Sequence, residues 1–150
     1  SMISSTRKTS LSYTSPLGNT ITSKFIRLYS SPCNNCDIEI LDLITPGYDI
    51  ERFGIKLVGS VRHADVLLVT GIVSYKVAPR IKQLYEQAAK PIFVIGIGTC
   101  TAGGATFKTS YNKAGVPLEK VIPVNAYVTG CPPKPEAMID GILKLLGTLK

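Results

Sequence analysis

Four cysteines are the residues in this sequence best suited to chemistry: Cys33, Cys36, Cys100 and Cys131. The first two form a C-x-x-C pair, and the others stand far down the chain. Thiolates bind soft metals, exchange with disulfides and hold iron–sulfur clusters, so how the four group decides their use. Histidine chemistry has little to draw on, because His63 is the only histidine. Cys131 is followed by Pro132, as the last cysteine of many cluster motifs is. Cys100 lies in GIGTCTAGGATF, where Gly96, Gly98, Gly103 and Gly104 would let backbone N–H groups approach a large anion.

The chain has 150 residues, the length of one domain that can bury a core without disulfide staples. Its strongly apolar stretches, VLLV at Val66–Val69 and IFVIGIG at Ile92–Gly98, are far shorter than the roughly 20 residues of a membrane span. Four cysteines are too few for a disulfide-dense secreted scaffold. Residues 1–23 contain twelve Ser or Thr and no acid, and are expected to be a flexible N-terminal extension. The folded domain is expected over 24–150.

Within it, short apolar runs alternate with helical patterns. Strands are expected at 24–30, 65–71, 92–98 and 121–128, the last broken or edged by Pro123. Helices are expected at 37–44, at 79–89 behind Pro79, and from Pro135 onward. The last repeats Ile139, Ile142, Leu143 and Leu146 on one face. This alternation predicts an α/β sandwich with a mainly parallel sheet, whose ligands gather beyond the carboxyl ends of the strands. Cys33 and Cys36 follow the first strand, Cys100 the third and Cys131 the fourth. All four are therefore expected in loops along one edge.

Four thiolates at one edge make a metal site, and a 4Fe–4S cluster is the favoured occupant, since it tolerates long gaps between ligands. The alternatives are structural zinc, which usually arrives as two local C-x-x-C pairs, a redox-active Cys33–Cys36 pair, or buried unligated cysteines.

SPCNNCDIEILDLITPGYDIERFGIKLVGSVRHADVLLVTG (Ser31–Gly71) and GCPPKPEAMIDGI (Gly130–Ile142) closely resemble the electron-transfer small subunit of membrane-bound, energy-converting nickel–iron hydrogenases. The resemblance runs from about Lys24 to Leu146. The same superfamily includes the 20 kDa cluster-carrying subunit of respiratory complex I. That subunit typically has adjacent cysteines at the first position, whereas Asn34 and Asn35 separate them here. The resemblance implies a flavodoxin-like fold carrying one 4Fe–4S cluster on Cys33, Cys36, Cys100 and Cys131. Gly98, Thr99, Gly103, Gly104, Gly130 and Pro132 would line the cluster. It implies a non-catalytic relay between a ferredoxin-like iron–sulfur subunit and a nickel–iron large subunit. Membrane-arm subunits would hold the complex, with this chain peripheral on the cytoplasmic face. A complex I-like or sulfur-reducing relative without nickel is the nearest alternative, and a zinc-stabilised binding module is one of a different class.

Single residues carry weaker signals. Glu39 is either a helix-dipole acid or a proton relay near the subunit interface. Asp37 reads as an N-terminal helix acid, and His63 as structural or interfacial. Tyr48 and Phe53 read as core or as contacts to the large subunit. Lys134 stands where relatives often have Arg, and Asn125 and Thr129 replace an expected Asp and Pro. The net charge of +7 is spread along the chain without a dense basic run, which argues against nucleic acid and for acidic partner subunits or a membrane surface.

Overall fold

The structure, a computed structural model, describes residues 23–31, 33–110 and 116–148. Residues 1–22, most of the expected N-terminal extension, lie outside the described residues. Five strands form one parallel sheet: β1 (Ser23–Ser31), β2 (Ile55–Leu57), β3 (Val66–Gly71), β4 (Phe93–Ile97) and β5 (Ala126–Val128). Their spatial order is β2-β1-β3-β4-β5, the flavodoxin-like order. Among the described residues, four α-helices accompany them: α1 (Asn35–Asp42), α2 (Ala78–Gln87), α3 (Thr99–Gly103) and α4 (Pro135–Thr148).

Every residue of β3 is buried, as its unbroken apolar run requires of a central parallel strand covered on both faces. Side chains alternate between two cores. Phe25, Leu68, Ile95 and Ile97 pack with Ile40 and Leu43 of α1 and Met138 and Ile142 of α4. Ile26, Leu28, Leu67, Val69 and Val94 pack on the other face with Ile81 of α2.

The expected α/β sandwich is present, and its sheet is parallel throughout. β1 begins at Ser23, one residue before the expected start. β2 carries only three residues, too short for a sequence pattern. The strand expected over 121–128 pairs only at Ala126–Val128. Ahead of it, Leu118–Lys120 form a 3-10 turn, and Pro123 offers no N–H to a ladder. Asn125 extends the β4–β5 contact, with its side-chain oxygen accepting from the Val94 N–H at 2.8 Å.

Candidate metal centre

The sense in which successive strands are added reverses between β1 and β3, because β2 lies outside β1 while β4 and β5 continue beyond β3. Such a switch point opens a crevice beyond the strand ends. A cleft of about 210 Å³ lies there. Ser31 from the end of β1 and Gly71 from the end of β3 form its floor, and Cys33, Cys36, Cys100, Ile72 and Phe107 line the rest.

The four cysteines arrive by different local structures. Cys33 and Cys131 are exposed in loops, as expected. Cys36 is instead in the first turn of α1 and Cys100 in the short α3. The α1 helix starts two residues earlier than expected because Asn34, with φ of 72°, turns the chain directly after Cys33. Asn tolerates that left-handed conformation better than most residues with a Cβ.

Two backbone ties bring the distant cysteines to one place. The Gly98 N–H donates to the Val128 carbonyl at 2.8 Å, and the Thr99 N–H to the Gly130 carbonyl at 3.0 Å. The Thr99 hydroxyl reinforces the second tie, 3.2 Å from the Gly130 oxygen and 3.3 Å from its nitrogen. These bonds hold the residues just before Cys100 against those just before Cys131. Cys36 meets the same segment: a Cβ on Gly98 would lie 2.8 Å from the Cys36 sulfur. Gly98 also has φ of 87°, so glycine is required there twice over. Gly130 is similarly constrained, since a Cβ would lie 2.5 Å from Pro133 Cα.

The thiols act on one another electrostatically. Burial first, then Cys33, Cys100, Asp37 and Cys131, together push the Cys36 thiol up to about 11. Burial, then Cys131 and Cys33, also raise Cys100. Each of the four therefore lies within electrostatic reach of others in the set. Among the described residues, no three His, Cys, Asp or Glu side chains form a group that could hold a single metal ion.

The other expected site residues divide. Gly98, Thr99 and Gly130 build the ties, and Pro132 follows Cys131 through a cis peptide bond. Gly104, with φ of 79°, ends α3. Gly103 has open space where a Cβ would lie, so close packing does not demand glycine there. Glu39 is half-buried on α1. Glu136, then burial, then Asp42 and Glu39 raise the Tyr48 phenol, which places Glu39 within reach of that ring. His63 is exposed on the 3-10 turn before β3. Arg52 stacks over Phe53 at 5.0 Å. Sequence reasoning missed the roles of Ser31, Gly71, Ile72 and Phe107 as cleft walls. No motif marks them, and only the strand order sets them beside the cysteines.

A flavodoxin-ordered sheet with four cysteines near its switch-point edge defines a cysteine-bearing protein of α/β architecture. The chain belongs to the family described as NADH ubiquinone oxidoreductase, 20 Kd subunit, which matches residues 33–145. A probable membrane-bound hydrogenase subunit of Pyrococcus furiosus is 52% identical over 120 residues, covering 80% of this chain and 71% of that protein. The chloroplastic subunit K of the NAD(P)H-quinone oxidoreductase of Dioscorea elephantipes is 45% identical over 118 residues, 79% of this chain and 52% of that one. Among solved structures, a chain of the membrane-bound sulfane sulfur reductase, an archaeal respiratory membrane complex, matches with a TM-score of 0.73 and 41% identity. That match covers 85% of this chain and 70% of the other. The resemblance read from C-x-x-C-D-I-E and G-C-P-P thus holds, and these relatives are named as parts of oxidoreductase complexes. Among the described residues, no helix is long and apolar enough to cross a membrane.

Proposed function

We propose that this chain is the iron–sulfur electron-transfer subunit of a membrane-bound nickel–iron hydrogenase complex, holding one 4Fe–4S cluster on Cys33, Cys36, Cys100 and Cys131. The observation that carries the proposal is the mutual reach of the four thiols, drawn together by the ties at Gly98–Val128 and Thr99–Gly130. The donor set fits, since four cysteines are the usual ligands of such a cluster. The close approach that Gly98 permits to the Cys36 sulfur fits too.

When bound, the cluster supplies one-electron transfer. The chain's own residues position it. Cys36 must give up its proton to ligate, so its raised thiol makes cluster loading a proton-releasing step favoured at alkaline pH. Ile72 and Phe107 add apolar surface to the cleft beside Cys33, Cys36 and Cys100. The electron path runs between a ferredoxin-like iron–sulfur subunit and the nickel–iron large subunit. Membrane-arm subunits hold this chain at the cytoplasmic face as a peripheral part. Glu39, beside Tyr48 on the half-exposed side of α1, serves as a proton relay toward the large subunit.

The likeness to the sulfane sulfur reductase chain favours a second reading: the equivalent subunit of a complex I-like or sulfur-reducing complex without nickel. The co-purifying large subunit separates the two. A pair of C-x-x-C motifs there would supply nickel ligands, and their absence overturns the hydrogenase reading.

The test of the cluster is metal and sulfide analysis of the anaerobically purified complex, together with EPR of the reduced state. About four irons and four acid-labile sulfides assigned to this chain are expected. Cys100→Ser is expected to abolish or convert the corresponding signal. Zinc without sulfide would point to a zinc-stabilised binding module and overturn the proposal.

A further inference from the structure

Asp37 and Thr70 meet behind the first turn of α1, and Arg27 lies on the same face of the sheet. Phe25 and Leu68 pack in the same core as Ile40 and Leu43, so Arg27 and Thr70, two residues further along their strands, also face α1. The Thr70 hydroxyl donates to Asp37 Oδ1 at 2.8 Å. Asp37 is 5% exposed and Thr70 fully buried. The other carboxylate oxygen, Oδ2, and the Arg27 Nη1 are both buried without hydrogen-bond partners. The half-buried Arg27 guanidinium lies over the Tyr29 ring, 5.0 Å from its centroid, and acts on Asp37 through space rather than by a direct ion pair. Burial pushes the Asp37 carboxyl up, while the Thr70 hydroxyl and the Arg27 charge pull it back down. Asp37 follows Cys36 directly, and its charge reaches the Cys36 sulfur.

We propose that the opposite charges of Arg27 and Asp37, placed on one sheet face behind Cys36, together set the reduction potential of the cluster held there. This rests on the cluster proposed above. One-electron reduction adds a negative charge to the cluster, so its potential follows the net charge close by. Asp37 cancels Arg27; without Asp37, the lone guanidinium would stabilise the reduced state. Asp37 is a positioning residue in this sense, acting on the cluster through the charge it neutralises.

The test is an EPR-monitored redox titration of the intact complex with native, Asp37→Asn and Asp37→Asn/Arg27→Met chains. Asn keeps an oxygen for the Thr70 hydroxyl and removes only the charge. The single variant is expected to raise the midpoint potential, and the double variant to return it toward the native value. An unshifted potential in the single variant overturns the pair, as does a double variant that stays at the single variant's value. A merely structural role for Asp37 would not be reversed by a second substitution at Arg27. If Asp37→Asn loses the cluster, the double variant is expected to regain iron and sulfide, because no lone charge remains. A double variant still without cluster overturns the pair. Failure of either kind leaves the cluster proposal standing, whereas a native complex without acid-labile sulfide removes both.

Discussion

Cys36 and Gly98 can approach each other because the sulfur of one occupies the space that a side chain on the other would need. At this scale the sequence was informative, since cysteine identity, the C-x-x-C spacing and the flanking glycines all pointed to one chemistry. It was less informative for acids. Asp37 and Glu39 stand two residues apart on α1, yet Asp37 is buried against Thr70 and Glu39 is half-exposed beside Tyr48. The 3.6-residue period turns them to different surroundings, and only the packing of α1 says which is which. Glu39→Gln keeps the shape and removes the exchangeable proton. Slower turnover of the assembled complex is expected, with the cluster's EPR signal unchanged. Turnover at the native rate would leave Glu39 only a helix-dipole role.

The β4–α3 junction shows what an element adds to its residues. Gly98 leaves β4 with φ of 87° and ψ of 154°, a region nearly closed to residues with a Cβ. The same turn places its N–H on Val128 and the next on Gly130. One strand end thereby fixes the loops carrying Cys100 and Cys131. Gly98→Ala is expected to cost about 1–3 kcal/mol from backbone strain. Its Cβ would also push the Cys36 sulfur out of place. Thermal melting and iron content together check this, and native values in both would contradict the geometry. The Gly-rich character of this turn was legible in the sequence, although it suggested contacts to a cluster rather than close packing against Cys36. Gly103 was legible only as composition, since its surroundings leave room for a side chain. The short helix holding Cys100 was not legible at all, because five residues give no helical period.

Across the whole molecule, two apolar cores pack on opposite faces of the sheet that ends at the site. Leu68 is fully buried at the centre of β3. Leu68→Ala is expected to destabilise the chain by about 2–5 kcal/mol, through lost burial and the cavity left behind. The check is denaturant unfolding of the purified chain, and a loss below about 1 kcal/mol would mean that the core collapses to fill the space. The sequence by itself determined the alternation of strands and helices, because buried parallel strands and amphipathic helices differ in apolar period. It also determined the four thiols and, through its motifs, the family. Tertiary structure alone decided the order β2-β1-β3-β4-β5, and with it the switch-point cleft between Ser31 and Gly71. It alone set Arg27 and Thr70 behind Cys36. Strand order and side-chain pairing depend on contacts between residues tens of positions apart, and local patterns carry no record of which distant partner wins.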